Sequence, residues 1–288
     1  MGNPFKLCAF ADEADASFDA QIEALTENGI PYLEMRGVDS QNVADLTDAQ
    51  AKEVREKLDA AGLKVWSLGS PAGKTKITEN FSFEEERFKR LLSVADLTGA
   101  RCIRLFSFYG TDGKDEYFDE VCRRLNRFLE LAKGHDVVLC HENEKGIYGD
   151  SSARCVRLHQ ALPNLKAVYD PANFLQCGED TLLAWDAVAP YLHYMHIKDC
   201  APDGQVVPPG DGVGKIPVLL SRYARMGGGV VSLEPHLTEF IGLAGLEQEG
   251  EKRVVGSRHF TSGREAFDYA TDVLKNIMKQ IDKETTIC

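Results

Sequence analysis

Short β-rich runs alternate eight times with longer amphipathic segments along this chain, and this alternation constrains its fold more than any other feature. The runs predict strands at residues 6–10, 32–35, 64–68, 102–106, 137–142, 167–170, 191–197 and 229–234. Apolar residues recur at i, i+3, i+4 and i+7 in the segments between them. Four segments stop at Gly29, Gly62, Gly99 and Gly134, as helices with a left-handed C-terminal residue do. This alternation is typical of a parallel sheet covered by helices.

The number of units decides between two parallel architectures. Dividing 288 residues among eight units gives 36 residues for each strand, helix and pair of connections. A doubly wound open sheet uses the same units, but eight of them close an α/β barrel. We therefore predict an α/β fold, a (β/α)₈ TIM barrel, with residues 1–288 in a single domain. Two Gly- and Pro-rich stretches, 201–215 and 238–262, follow strands and are expected among the loops where TIM barrels keep their chemistry.

Composition and charge argue against several classes of protein. The chain is 43% hydrophobic and 27% charged, and it has no run approaching the roughly 18 apolar residues of a membrane span. Its net charge of −12 argues against a nucleic-acid partner, because that contact needs a field of Lys and Arg. Asp12 and Glu13 interrupt the apolar run near the start, so no secretory signal is expected and the cytoplasm is the default compartment. A homodimer is the default assembly.

The eight cysteines show no CxxC pair and no spacing typical of metal ligands. Cys8, Cys102 and Cys140 fall inside predicted strands, where a cysteine packs as a small hydrophobic residue. Free, reduced thiols are therefore expected.

Four ionisable residues stand at the ends of four successive predicted strands: Glu142 in VVLCHEN, Asp170 in KAVYDPAN, His196 in YMHIKD and Glu234 in VVSLEPH. Neighbouring strands run side by side about 4.8 Å apart, so inward side chains at their carboxyl ends converge on the barrel axis. Any one of these residues alone is more often a helix N-cap or a partner of a nearby lysine. Together they would repel one another without a cation, which predicts one divalent-metal site.

The ligand set is rich in oxygen. Three carboxylates and one imidazole suit Mn²⁺ or Mg²⁺ better than they suit the zinc of a thiolate-rich site. Co²⁺ and Zn²⁺ remain alternatives. His141 precedes Glu142 on the same strand and should point the opposite way, so it is predicted to be packed rather than a ligand.

Seven short strings stand in order at the strand ends: FADE at 10–13, LEMRGV at 33–38, IRLFSFYG at 103–110, HENEKGIYGD at 141–150, YDPANF at 169–174, HIKD at 196–199 and SLEPHL at 232–237. In this order, along nearly the whole chain, they resemble the sugar phosphate isomerase/epimerase branch of the xylose isomerase-like TIM-barrel superfamily. That branch also includes ketose 3-epimerases, hydroxypyruvate isomerase and inosose dehydratase.

The resemblance implies a site and an activity. It implies that one metal ion, Mn²⁺ in preference, is bound by Glu142, Asp170, His196 and Glu234. Glu142 and Glu234 would also transfer protons in the isomerisation or epimerisation of a small-molecule carbohydrate through an enediolate. The implied substrate contacts are Arg36, Lys74, Lys145, Lys198 and His236.

Two departures from the ketose 3-epimerase pattern argue against C3 epimerisation of a free ketose. Those enzymes resemble one another in an Asp-x-x-His string, where this chain has Asn173 three residues after Asp170. They also tend to follow the metal-binding histidine with Gly-Glu, whereas Lys198 and Asp199 follow His196 here. Lys198 is expected either to stabilise an enediolate oxygen or to pair with Asp199.

Other functions use the same barrel. Loss of a β-hydroxyl from the enediolate would make the protein a keto-sugar or inosose dehydratase. Phosphodiester cleavage of the endonuclease IV type would need more histidine ligands and three zinc ions per chain. A non-catalytic sugar-binding barrel, or a subunit that needs a partner, would bind a ketose without turning it over. The run GDGVGK at 210–215 lacks the spacing of a phosphate loop and is interpreted as a mobile loop over the site.

Overall fold

Eight parallel strands close into one barrel in the computed structural model, which describes residues 3–240 and 259–287. The barrel strands are β1 (Phe5–Ala9), β2 (Tyr32–Met35), β3 (Lys64–Leu68), β4 (Cys102–Leu105), β5 (Val138–Glu142), β6 (Lys166–Tyr169), β7 (Leu192–Ile197) and β8 (Gly229–Leu233). Each strand pairs with the next along the chain, and β8 pairs with β1 to close the ring. The predicted (β/α)₈ TIM barrel is confirmed.

Helices surround the barrel. They are α1 (Phe18–Glu27), α2 (Asp48–Ala60), α3 (Phe81–Thr98), α4 (Phe118–Leu131), α5 (Ser152–Ala161), α6 (Pro171–Gln176), α7 (Thr181–Val188), α8 (Ile216–Arg225) and α9 (Gly263–Ile287). Short 3₁₀ turns occupy Ala11–Glu13, Val43–Asp45, Asp115–Tyr117 and Ala189–Tyr191. Two small antiparallel pairs, Gly37–Val38 with Gln41–Asn42 and Asp199–Cys200 with Val206–Val207, lie in loops that follow strands.

The helix ends follow the sequence signals. Gly29, Gly62, Gly99 and Gly134 have φ values of 56, 73, 71 and 95°, the left-handed region that glycine enters without a steric penalty. At its start α2 has a reciprocal cap, in which Thr47 accepts from a backbone N–H of the first turn. The predicted stops are therefore confirmed.

The predicted strand bounds differ from the observed ones by no more than one residue at either end. The difference matters at Asp170 and Glu234, which were predicted inside strands and instead follow β6 and β8 directly. Asp170 leaves the ladder because it is the N-cap of α6. The Glu234 N–H still donates to the Ile197 carbonyl oxygen of the neighbouring strand at 3.1 Å, so its side chain keeps a strand-like direction.

Two apolar layers hold this barrel. The larger lies between the strands and the helices, and the smaller fills the inside of the barrel near the amino ends of the strands with residues such as Cys8, Val168 and Tyr194. Polar side chains occupy the inside at the carboxyl ends, which we call the mouth. Among the described residues, no helix combines the length and apolarity that crossing a bilayer requires.

The loop after β7 is folded around one carboxylate. Asp199 accepts hydrogen bonds from the backbone N–H groups of Gly210, Gly212 and Gly214 at 2.8–3.1 Å. Because a Cβ on Gly212 or Gly214 would lie within 2.5 Å of Asp199 or its neighbours, glycine is required at both positions. The GDGVGK run is thus a loop tied down at the mouth, and its predicted mobility stays a prediction. Most of the other predicted mouth loop, 238–262, lies outside the described residues.

Candidate metal centre

The four predicted ligands come together at the mouth. One atom from each of Glu142, Asp170, His196 and Glu234 lies within 4.8 Å of the others, and all four side chains are buried. Glu142 is the last residue of β5, His196 is next to last in β7, and the other two follow β6 and β8. Four neighbouring strands therefore bring one predicted ligand each to the same place, as the spacing in the sequence predicted.

Glu142 divides its two oxygens between different neighbours. Its Oε1 lies 3.1 Å from His196 Nδ1 and accepts a hydrogen bond from Asn173 Nδ2 at 3.2 Å. Its Oε2 lies 3.1 Å from Arg104 Nη1 but accepts no hydrogen bond there. Asn173 therefore orients a predicted metal ligand at the position where the ketose 3-epimerase pattern has histidine.

Asp170 caps a helix with one oxygen and turns the other toward Lys198. Its Oδ1 accepts the Asn173 N–H at 2.9 Å and so caps α6. Its Oδ2 points into the cluster, 2.9 Å from Lys198 Nζ and 4.0 Å from His196 Nδ1, and accepts no hydrogen bond. Burial raises the pKa of Asp170 to about 6, against the attraction of Lys198.

Glu234 is surrounded by cationic groups. Its Oε1 lies 3.0 Å from Arg36 Nη1 and 3.2 Å from His236 Nε2, and its Oε2 lies 3.0 Å from Lys198 Nζ. Burial alone would raise the pKa of Glu234, but Lys198, His236 and His196 outweigh it and hold the pKa well below its usual value. Glu234 is therefore ionised at neutral pH, the state that a proton acceptor requires.

His196 turns one nitrogen to each side. Nδ1 faces the three carboxylates, and Nε2 lies 3.1 Å from Glu34 Oε2. Glu34 is held in turn by the Tyr194 hydroxyl, which donates to its Oε1 at 2.6 Å. A carboxylate behind an imidazole fixes the ring and its tautomer, leaving the other nitrogen to bind a metal ion. Glu34 therefore orients His196 so that Nδ1 is the nitrogen turned toward the three carboxylates.

We expect Glu34→Gln to weaken divalent-metal binding at the mouth by about 10–100-fold, because a neutral amide supports the imidazole less well than a carboxylate does. Isothermal titration of the full chain with Mn²⁺ measures the effect. Glu84→Gln, which changes another buried glutamate that accepts a backbone N–H away from the cluster, is the matched control. Equal Mn²⁺ affinity in Glu34→Gln and wild type would show that Glu34 does not position His196.

The donor set fits a divalent cation. The cationic side chains in or beside the cluster are Arg36, Arg104 and Lys198. The carboxylates are Asp12, Glu13, Glu34, Glu142, Asp170 and Glu234. If the imidazoles are neutral, as metal binding requires of His196, three cations face six acids, and Glu13 is the acid that stays protonated at neutral pH. Two carboxylate oxygens, Glu142 Oε2 and Asp170 Oδ2, are also buried without a hydrogen bond. A divalent ion would relieve both the surplus negative charge and the unsatisfied oxygens.

Burial also affects Glu13, whose pKa rises to about 8 although Arg36 lies 3.1 Å away, because burial, Glu234 and Asp12 outweigh that arginine. The folded protein then keeps a proton that the unfolded chain releases near its usual pKa. This contribution to stability is complete below the usual pKa and is lost as the pH rises through about 8. Glu13 is thus mostly protonated at neutral pH.

We expect the free energy of unfolding of wild type, measured by urea denaturation with a chelator present, to fall relative to that of Glu13→Gln between about pH 5 and pH 8. The difference should change by at most about 1.4 kcal/mol per pH unit. Glu23→Gln, an exposed change on α1, should follow wild type throughout. Parallel pH profiles for wild type and Glu13→Gln would show that Glu13 holds no such proton.

The predicted substrate contacts lie at different distances from the cluster. Arg36, Lys198 and His236 all touch Glu234. Lys74 lies 3.3 Å from Glu144 Oε2 and over the ring of Phe106, further along the mouth. Lys145 is exposed on the loop after β5. Their roles toward a substrate stay predictions.

One of the two alternatives for Lys198 is wrong. Lys198 lies against Asp170 and Glu234 rather than pairing with Asp199, whose carboxylate is taken by the backbone of the glycine loop. His141 is packed, as predicted, with Nε2 at 2.9 Å from Ser107 Oγ.

Sequence reasoning missed Glu34 and Arg104. Both lie inside buried strands, in YLEM and CIRL, and both are at most 2% exposed. An ionisable residue flanked by apolar ones in a buried strand was the available signal, because such a group needs a charged or hydrogen-bonding partner. A shift of register between Leu33 and Glu34 accompanies the inward turn of Glu34.

Fold and site together define the class of protein. It is a TIM barrel with a candidate metal centre of three carboxylates and one imidazole at its mouth. A family model described as xylose isomerase-like TIM barrel matches residues 22–255, and the chain belongs to that family. The resemblance to this superfamily inferred from the strings is thereby confirmed. A search of curated proteins found no match.

Solved structures share the fold at low identity. An L-ribulose 3-epimerase superposes with a TM-score of 0.76 and 15% identity, over 98% of this chain and 97% of that one. A probable 3-DHS dehydratase, AsbF, involved in petrobactin synthesis in Bacillus anthracis, gives 0.72 and 17%, over 94% and 98%. The IOLI protein with a binding zinc atom gives 0.71 and 15%, over 96% and 99%.

Proposed function

We propose that this protein is a divalent-metal-dependent isomerase or epimerase of a small carbohydrate, with Mn²⁺ as the favoured ion. The observation that carries the proposal is the buried convergence of Glu142, Asp170, His196 and Glu234 within 4.8 Å at the mouth. Membership of the xylose isomerase-like family and the likeness to an L-ribulose 3-epimerase support it. A bound divalent ion would polarise a substrate carbonyl and acidify the neighbouring C–H.

Glu142 and Glu234 are the proposed proton-transfer pair. Each turns one oxygen toward His196 Nδ1 and the other away, so a carboxylate that holds an ion through one oxygen keeps a second for the substrate. Glu234 is ionised and accepts a proton from the substrate carbon. Glu142 delivers a proton taken from solvent either to the opposite face or to the adjacent carbon, and Glu234 then releases its proton to solvent.

The cationic groups around Glu234 are proposed to bind and orient the substrate. Arg36, Lys198 and His236 are donors fixed by contacts with acids, and Lys198 Nζ reaches both Asp170 and Glu234. An enediolate oxygen placed beside Lys198 would be stabilised by a charge-assisted hydrogen bond. Lys74 and Lys145, further along the mouth, suit the distal hydroxyls or a phosphate of a longer substrate.

Dehydration is the second candidate, since the same enediolate can lose a β-hydroxyl. The likeness to a probable 3-DHS dehydratase favours this alternative. A multi-zinc phosphodiesterase is less well supported. In the described ranges 3–240 and 259–287, His135 pairs with Asp96, His141 with Ser107 and His159 with a backbone carbonyl, all away from the four ligands.

The test is exchange of substrate hydrogen with solvent. The full chain, loaded with Mn²⁺, is incubated in D₂O with ketoses, their phosphates, inososes and 3-keto sugars, and C–H exchange is followed by NMR. We expect metal-dependent exchange with at least one of these compounds and none after chelation. Product structure then distinguishes isomerisation, epimerisation and dehydration. Tight binding of a ketose without exchange would overturn the proposal in favour of a non-catalytic barrel.

A further inference from the structure

A second group of metal-ligand atoms lies inside the barrel, toward the amino ends of the strands. Cys102 begins β4, Cys140 lies in β5 and His193 is the second residue of β7. Their two sulfur atoms and a ring nitrogen lie within 4.8 Å of one another. The two cysteines are fully buried, and His193 is half-buried.

These three side chains are neighbours inside the barrel, with their ligand atoms close enough to share one ion. The His193 ring is also stacked on Trp66, with centroids 5.7 Å apart and planes 17° from parallel. The ligand atoms are therefore preorganised, and the imidazole is held in one orientation by an aromatic neighbour.

One member of this group, His193, borders a cavity. His193 and Trp66 line a cavity of about 720 Å³ at the amino end of the barrel, together with Tyr32, Lys6 and Lys64. His193 belongs both to the lining of this cavity and to the ligand group, so it joins the two buried cysteines to the cavity.

This group is separate from the mouth. Tyr194 and Glu34 lie between the two, since the Tyr194 hydroxyl donates to Glu34 Oε1 and Glu34 Oε2 contacts His196. The ligand chemistry also differs, because two thiolates and one imidazole select a thiophilic ion such as Zn²⁺, whereas the mouth is rich in oxygen.

We propose that Cys102, Cys140 and His193 form a second, thiophilic metal site that binds Zn²⁺ through two thiolates and one imidazole, with a fourth position open to the cavity. Both thiols release their protons to solvent when the ion binds, so binding weakens as the pH falls. The site is independent of the function proposed for the mouth.

Co²⁺ is the probe for this site, because a cobalt–thiolate bond gives a sulfur-to-metal charge-transfer band that the sulfur-free mouth cannot produce. In the full chain, kept reduced by a phosphine, we expect this band in wild type, in Cys8→Ser and in Asp170→Asn. Cys8 is the matched control because it is buried in the same apolar cluster without belonging to the ligand group. Cys102→Ser and Cys140→Ser should lose the band and one equivalent of bound metal.

His193→Asn keeps the proposal testable if a cysteine variant fails to fold, which circular dichroism would show. His193 is half-buried beside a cavity, so its replacement disturbs packing least. We expect the cobalt ligand-field bands of this variant to shift. We also expect it to lose Zn²⁺ at a chelator concentration that leaves wild type loaded with Zn²⁺. Absence of the charge-transfer band in reduced wild type, or its survival in folded Cys102→Ser, would overturn the proposal.

Discussion

Glu234→Gln is expected to lower solvent-deuterium exchange into the substrate by about 10²–10⁴-fold, the range that a positioned general base contributes. Glutamine keeps an oxygen that can contact an ion but has no basic carboxylate to take the proton. The same loss is expected for Glu142→Gln, because proton return requires the second carboxylate. Exchange into the best substrate of the panel is followed by NMR in D₂O.

Bound metal must be measured in the same samples, because both residues are also proposed ligands. The comparison is made with excess Mn²⁺ and at equal metal content, so that a lost ion is not mistaken for a lost base. Glu84→Gln, a buried glutamate away from the cluster, is expected to exchange at the wild-type rate. Undiminished exchange in either Glu142→Gln or Glu234→Gln would remove that residue from the proton transfer.

Arg36→Ala is expected to lower the free energy of unfolding by about 3–5 kcal/mol, the range for removing one partner from a buried ion pair. Arg36 is 4% exposed and lies 2.8–3.1 Å from oxygens of Asp12, Glu13 and Glu234. Without it, the buried Glu13 and Glu234 and the partly buried Asp12 face one another with less compensation. Urea denaturation of the chelated protein measures the loss.

Arg55→Ala provides the surface comparison for this experiment. Arg55 lies 2.7 Å from Asp59, but both side chains are about half exposed, so its loss is expected to change stability by less than about 1 kcal/mol. Arg36→Lys should fall between the two, because a lysine keeps the charge but cannot reach several carboxylates at once. Stability of Arg36→Ala equal to that of Arg55→Ala would mean that the cluster rearranges around the missing guanidinium.

The arginine and glutamate experiments separate structure from chemistry at one site. Arg36 holds three acids in place, and its loss should appear in unfolding whether or not the protein has a substrate. Glu234 is held by that same arginine, so a folded Glu234→Gln variant tests the proton transfer itself. The mouth therefore combines a stabilising ion-pair network with a proposed reactive carboxylate.

Patterns along the chain were enough to predict the barrel and the four residues at its mouth. The β and helix periods recur eight times, and a parallel ring sends every strand's carboxyl end to the same side, so Glu142, Asp170, His196 and Glu234 had to meet once the strands were placed. The strand ends were wrong only by single residues, where Asp170 caps a helix instead of extending a strand.

Only the tertiary structure decided which further groups join the four residues at the mouth. Glu34 lies 3.1 Å from His196 although 162 residues separate them, and no spacing in the sequence links the two. The cysteines were predicted to be packed thiols, yet the closed ring brings Cys102, Cys140 and His193 within 4.8 Å. Periodicity determines which face a side chain takes on its own strand, but contacts across a barrel depend on how eight strands close and stagger, which one strand does not encode.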